Sequence, residues 1–247
     1  MILRALERQT VKDFEVIIAE DDEAADTVDY LAKQLVRMPF PILHVCQDDK
    51  GFRKNRILNK AVAVSTGDLI IFLDGDCIPH RKWLEEYSSQ ADKNVVLSGR
   101  RLMVSETLTQ TLLRTKKLSY LSLIYQLRYG SNNLEEGIYL PFYRRPNISS
   151  LLGCNWAILK KHLVAVNGFD EDYVSPGVGE DLDIAWRLAG NGILLRSMRH
   201  RAIVYHLHHK VHYCKGDVVP NYDIMRKKQA LSSVYCLNGL DKHLPKK

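Results

Sequence analysis

Two carboxylates, Asp74 and Asp76, close the run Leu69-Ile70-Ile71-Phe72-Leu73-Asp74-Gly75-Asp76. The apolar stretch reads as a buried strand of a parallel sheet. Ligands in open α/β sheets bind just beyond the C-terminal ends of such strands. Acids placed there suit a hard divalent cation, and that cation suits a diphosphate. Further along, Gly177-Val178-Gly179-Glu180-Asp181 opens a helix. Acids in a first turn complement the helix dipole, and a carboxylate held at such a junction also suits a general base. Histidines at 206, 208, 209 and 212 follow a short apolar strand. Strand alternation would put His206 and His208 on one face, as a metal-ligand pair or as a structural or surface pair. Gly51-Phe52-Arg53 with Arg56 and Asn59 combines a turn, a helix start and two cations. That combination can grip phosphates or simply open a basic helix.

The elements that position these groups alternate. Strands are expected at 14–19, 42–46, 69–73, 95–99, 153–160, 193–195 and 202–205. Helices are expected at 27–37 (with Val28, Leu31 and Leu35 inward), 53–65, 82–90, 161–166, after Asp181, and at 221–237. This pattern argues for a doubly wound, mostly parallel sheet flanked by helices. Residues 103–129 read as a basic helical region, suited to packing on a core or to an anionic membrane surface. Residues 130–150 read as a loop, long enough to suggest binding or mobility.

The chain has 247 residues, 46% of them apolar, with a net charge of +6. A real core and an anionic partner fit these values. Aromatic and basic residues do not interleave as they do in nucleic-acid modules, so no nucleic-acid partner is expected. Five scattered cysteines (46, 77, 154, 214 and 236) suit a reducing compartment and no disulfide framework. No signal-like segment or bilayer-length apolar run is read. The expectation is a cytoplasmic chain, with peripheral association at the inner membrane face as an option.

In order, the segments FEVIIAEDD, QDDKGFRKNRILNKAVA, GDLIIFLDGDCIPH, GCNWAILKKHLVAVNGFDEDY, GEDLDIAWRL and YHLHH resemble the GT-A glycosyltransferases, specifically the inverting family 2 enzymes of bacterial surface polysaccharide and lipopolysaccharide synthesis. The GFDE and GED segment is similar to the C-terminal half of galactosyltransferases. The resemblance implies one GT-A domain over 1–247, with a nucleotide-sugar half (1–101), a helical and loop insertion (102–152), and an acceptor and catalytic half (153–247). It implies transfer from a UDP-sugar to a saccharide or lipid-linked oligosaccharide, with Mn²⁺ or Mg²⁺ as cofactor. Asp21 matches the acid at the uracil. Asp76 matches the main metal ligand and Asp74 the ribose- or metal-facing acid. Asp181 matches the catalytic base, with Glu180 placing the acceptor beside Asn155 and Trp156. His206 matches the late metal ligand, with His208 in reserve. Gly51, Arg53 and Arg56 match positions near the nucleotide. The chain opens in a helix where this architecture opens with a strand, so the first strand is expected to be missing. The tryptophan that galactosyltransferases carry before Glu-Asp is also absent. Two rival readings are a degenerate, non-catalytic nucleotide-sugar or partner-binding module and a sugar-phosphate nucleotidyltransferase. The second would carry a glycine-rich, basic phosphate loop near its start, and none is found there.

Overall fold

The computed structural model describes residues 1–92, 94–143, 147–210 and 215–245. Pro146, His212 and Cys214 lie outside the described residues. In chain order the first elements are α1 (Ile2–Glu7), β1 (Val16–Glu20), α2 (Ala25–Leu35), β2 (Ile42–Cys46), α3 (Lys54–Val64), β3 (Leu69–Leu73), β4 (Cys77–Pro79), α4 (Trp83–Gln90) and β5 (Val95–Ser98). There follow β6 (Arg100–Met103), α5 (Glu106–Thr115), α6 (Leu123–Arg128), β7 (Asn155–Leu159), α7 (Lys160–Ala165), α8 (Ile184–Gly190), β8 (Leu194–Ser197), β9 (Ile203–His206) and α9 (Lys215–Ala230). A π-helical turn, Gly179–Asp183, leads into α8. The chain divides into two compact units that interleave along the sequence.

One unit comprises Met1–Lys12, Ile71–Ala157 and Leu195–Val211. Its three-stranded sheet has the order β4-β9-β6. Strand β9 runs antiparallel to β4, with Cys77 opposite His206, and parallel to β6, with Met103 opposite His206. Flanked on both sides, β9 is buried along its whole length, as a central strand should be. Leu102, Ile203, Tyr205 and Ile78 from this sheet form a core with Leu108 and Leu112 of α5 and Ala5 of α1. Helix α5 starts at Ser105, whose Oγ accepts from the Leu108 N–H at 3.4 Å, a side-chain N-cap. Strands β4 and β6 were not anticipated from the sequence, because each is too short to show a period. Nor is 130–150 a bare loop. Asn132 bridges Met103 through two backbone hydrogen bonds of 2.9 and 3.0 Å, Leu134–Gly137 forms a 3₁₀ turn, and Asn147 bridges Arg196. A second sheet has the order β3-β7-β5-β8, with β5 antiparallel to β7, so pairings of both senses occur.

The other unit comprises Asp13–Ile70, Ile158–Leu194 and His212–Lys247. Strands β1 and β2 pair in parallel, Val16 opposite Ile42 through Glu20 opposite Cys46. Helix α3 buries Asn55, Ile57, Asn59 and Val62. The two asparagines spend their hydrogen bonds on the loop around Phe169: Asn55 Nδ2 donates to Asp170 O at 2.7 Å, Asn59 Nδ2 donates to Phe169 O at 2.7 Å, and Asn59 Oδ1 accepts from Phe169 N–H at 2.8 Å. Helix α2 differs from expectation. Leu31 alone is buried, and Val28 and Leu35 are about half exposed. The last helix starts and stops earlier than its apolar pattern implies, and Ser232 takes a left-handed conformation just after its end (φ 53°).

The π turn is fixed by a buried ion pair. Asp183 Oδ2 accepts from Arg187 Nε at 2.7 Å, and both side chains are buried. Asp183 Oδ1 accepts from Tyr173 OH at 2.9 Å, and Arg187 Nη1 donates to Val166 O and Gly168 O at 2.8 Å each. Removing one partner of such a pair strands the other in a low-dielectric interior, at a cost of about 3–5 kcal/mol. Arg187→Met should therefore lower unfolding stability by that amount in denaturant titration. The double replacement Asp183→Leu/Arg187→Met should lose less than the single one, because no uncompensated charge remains.

Candidate active site

In the second unit, Asp21 lies one residue beyond β1. Its Oδ1 accepts from Gln47 Nε2 at 2.6 Å and its Oδ2 from the Arg53 backbone N–H at 2.5 Å. Gln47 stands one residue beyond β2, and its Oε1 is buried with no partner among the described residues. The ends of two parallel strands and the start of α3 thus converge on one carboxylate, whose oxygens each keep a second lone pair. The Arg53 guanidinium turns to Asp48, bonding its backbone oxygen and, at 3.3 Å, its Oδ1. The Lys50 ammonium first, and Arg53 after it, hold the Asp48 carboxyl near 2. Gly51 occupies the loop before α3 with a left-handed backbone (φ 79°) and open space where a Cβ would stand. Arg56 is exposed on the first turn of α3.

Glu180 and Asp181 sit in the π turn of the same unit. Such turns interrupt a regular helix and recur at functional sites. Asp181 Oδ1 accepts from the Leu182 N–H at 2.7 Å. Burial above all, then the neighbouring Glu180 charge, push Asp181 up to about 6, while the Leu182 N–H and the Lys54 ammonium pull the other way. A carboxylate poised there is matched to proton abstraction near neutral pH. One Glu180 oxygen is buried with no partner among the described residues. Gly179 precedes them because nothing larger fits. A Cβ there would lie 2.5 Å from Tyr173 Cβ and 2.9 Å from Asn55 Nδ2.

In the first unit, Asp76 lies between the ends of β3 and β4. Its Oδ2 is 3.3 Å from His206 Nε2 and 3.0 Å from His209 Nε2. Cys77 Sγ donates to Asp76 Oδ1 at 3.3 Å. The ligand atoms of Asp76, Cys77 and His206 all lie within 4.8 Å of one another. The hydrogen bond with Cys154, then burial, push the Cys77 thiol far up; Asp76, Cys77 and His206, with the His209 ring beside Asp76, are the groups that could hold a cation. Burial holds His206 below the usual histidine range against the pull of Asp76, which favours the neutral, ligating imidazole. One carboxylate and two imidazoles fit a divalent cation. Asp74 stands at the end of β3, and its charge is felt at both Cys77 and His206.

Three expectations are corrected by this geometry. β9 stops at His206, and beyond it the ring that lies beside Asp76 is that of His209, while the His208 N–H donates to Thr109 Oγ1 at 2.9 Å. Asn155 and Trp156 are fully buried and not open to an acceptor. Asn155 Oδ1 accepts from Trp83 Nε1 and Tyr87 OH at 2.8 Å each, and its Nδ2 donates to Arg100 O at 3.0 Å and Ala202 O at 2.8 Å. Trp156 stacks on Phe72 with ring centroids 4.3 Å apart. Gln47, Lys54 and the Asp183–Arg187 pair were missed. Only the i,i+4 spacing of the last pair was there to find.

A family model described as glycosyl transferase family 2 matches residues 1–164, and one described as the N-terminal domain of galactosyltransferase matches residues 138–210. No curated protein sequence matches the chain. Among solved structures, S. aureus TarS 1–349 in complex with UDP-GlcNAc is similar at a TM-score of 0.61 and 12% identity, covering 98% of this chain and 64% of that one. A longer S. aureus TarS chain gives 0.61 and 14%, with 98% and 38% covered. GalNAc-T7 with UDP, GalNAc and Mn²⁺ gives 0.58 and 11%, with 83% and 40% covered. The chain thus spans about 40% of the length of these last two relatives. These neighbours are GT-A glycosyltransferases, and the likeness gives this chain the GT-A fold. With that fold, and with residues 1–164 of its 247 inside the family match, the chain belongs to glycosyl transferase family 2.

Proposed function

We propose that this chain transfers a sugar from a UDP-sugar to a hydroxyl of a saccharide or lipid-linked oligosaccharide, inverting the anomeric centre, in the synthesis of a surface polysaccharide. The observation that carries this reading is Asp181, a carboxylate raised to about 6 on a rigid turn. Inversion by one in-line displacement needs a base and no nucleophile of the protein's own. Asp181 takes the acceptor proton as the hydroxyl attacks, and Glu180, with its unpartnered oxygen, orients the acceptor. Asp21 and Gln47 serve the uracil side, with Gly51, Arg53 and Arg56 beside the nucleotide. Asp76, His206 and His209 hold a divalent cation, which when bound supplies positive charge to the diphosphate leaving group. Imidazole ligands favour Mn²⁺ over Mg²⁺. The relatives support the donor class: TarS was solved with UDP and with UDP-GlcNAc, and GalNAc-T7 with UDP, GalNAc and Mn²⁺.

The membrane part of the reading rests on 107–134, which contains no acid and carries Arg114, Lys116, Lys117 and Arg128. Among these cations Ile124 is 78% and Leu127 69% exposed. No described helix is long and apolar enough to cross a membrane, so the contact proposed is a surface one. Full-length chain should sediment with vesicles containing phosphatidylglycerol and not with phosphatidylcholine alone. Ile124→Ser/Leu127→Ser should release it, and equal sedimentation with both vesicles rejects the surface contact.

The base is tested by pH. Asp181 works deprotonated, so sugar transfer should rise through about pH 6 and level off above it. Asp181→Asn should melt normally and lose about a hundredfold or more in turnover. Glu180→Gln removes a repelling charge and should move the acid limb to lower pH. Lys54→Met removes an attracting one and should move it to higher pH. Limbs that stay put in both variants assign the titration to another group.

The metal is tested by Mn²⁺ titration, read by electron paramagnetic resonance. Asp76→Asn and His209→Ala should each weaken binding by about tenfold or more. His208→Ala should bind as wild type.

A further inference from the structure

The transfer reaction has no use for one group of the cation cluster, the thiol of Cys77. This residue opens β4, opposite His206 in the pairing with β9, and its side chain is wholly buried. Most buried cysteines serve only as small apolar fillers. Here the sulfur lies against a carboxylate instead, with Sγ 3.3 Å from Asp76 Oδ1. The other oxygen, Asp76 Oδ2, is 3.3 Å from His206 Nε2 and 3.0 Å from His209 Nε2. One carboxylate, one thiol and two imidazoles therefore meet, all within the first unit.

That donor set separates two kinds of cation. Mn²⁺ and Mg²⁺ prefer oxygen ligands in octahedral sets. Zn²⁺ takes sulfur and imidazole ligands in a tetrahedral set of four, at about 2.0–2.3 Å. Those bond lengths put the ligand atoms roughly 3.3–3.8 Å from one another. The ligand atoms of Asp76, Cys77 and His206 already lie within 4.8 Å of one another. Zn²⁺ also stands well above Mn²⁺ in affinity for a given site of nitrogen and sulfur. A coordinating thiol is deprotonated outright, and the charge left on Cys77 Sγ has support. Cys77 shares a hydrogen bond with Cys154, and Arg101 Nη1 donates to Cys154 Sγ at 3.6 Å. Outer partners of this kind orient a ligand and strengthen its hold on the metal.

We propose that Cys77 makes this cluster a zinc site, in which Asp76, Cys77, His206 and His209 together bind Zn²⁺ and the Cys77 proton passes to solvent. Zinc held by four protein ligands keeps no open position, so its binding excludes Mn²⁺ and shuts the site to a diphosphate. The zinc site rests on the donor set; the shut-off rests also on the proposed transfer reaction.

Co²⁺ reports zinc-type ligation through its absorption spectrum. Titrated into the full chain, it should give the strong visible bands of a tetrahedral ion and a near-ultraviolet sulfur-to-cobalt charge-transfer band, both bleached by stoichiometric Zn²⁺. Cys77→Ser should lose the charge-transfer band, and its ratio of Zn²⁺ to Mn²⁺ affinity should fall about tenfold or more. Cys154→Ser should keep the band. Melting curves identify a variant that does not fold, and Cys77→Ala then repeats the comparison. A wild-type spectrum without the charge-transfer band, or a band that survives in a folded Cys77 variant, overturns the zinc site. Zn²⁺ should release bound Mn²⁺ from wild type, read by electron paramagnetic resonance, and Mn²⁺ that stays bound overturns the shut-off. Sugar transfer with Mn²⁺ alone is scored separately, so failure of the transfer reading is distinguishable from failure of the zinc site.

Discussion

The buried contact between Asp183 and Arg187 holds the turn on which the proposed base stands. Two opposite charges are removed from water there, which costs several kcal/mol per ion unless each is fully engaged. Asp183 meets Arg187 and Tyr173, and Arg187 also holds the carbonyls of Val166 and Gly168, leaving its Nη2 buried with no partner among the described residues. Those carbonyls belong to the end of α7 and the loop that Asn55 and Asn59 tie to α3. One charge pair therefore fixes a π turn, a loop and a helix together. The turn lifts Asp181 into a setting where burial and Glu180 disfavour its ionised form. A regular helix start would offer Asp181 the backbone N–H groups and positive dipole end that stabilise a carboxylate. Here burial and Glu180 outweigh the hydrogen bond that Asp181 accepts from the Leu182 N–H at 2.7 Å.

The cation cluster of the first unit depends on a different constraint, the register of a three-residue strand. β4 is barely long enough to pair, yet its pairing puts Cys77 opposite His206. The Leu207 N–H then donates to Asp76 O at 2.9 Å, drawing the chain after β9 back toward the carboxylate. His206 arrives from within the strand and His209 from beyond it. The result is one buried imidazole, His206, and one about half-exposed imidazole, His209, whose ring contacts Asp76 and the Lys210 carbonyl.

Much of this was legible in the sequence. The apolar run before Asp74 and the strand before Asp21 announce themselves as unbroken apolar stretches that end in acids, although every residue of β1 and β3 is half-buried rather than buried. The Glu180-Asp181 pair was visible too, but two roles were open, and only the burial and the π turn favour one of them. His209 was passed over because alternation was extended past the end of β9. Asn155 and Trp156 lie in a motif whose family role suggested an acceptor, whereas here Asn155 spends its whole carboxamide on four partners in the interior. The interleaving of the two units, set by contacts distant in sequence, has no local signature.

The central claim is that Asp181 is a base tuned by its surroundings. A ¹³C NMR titration of the aspartate side-chain carboxyls in the full chain, with the Asp181 signal identified by its loss in Asp181→Asn, tests it most directly. A midpoint near 6 is expected. A midpoint near the ordinary aspartate value of about 3.9 would show an unperturbed capping carboxylate and contradict the account.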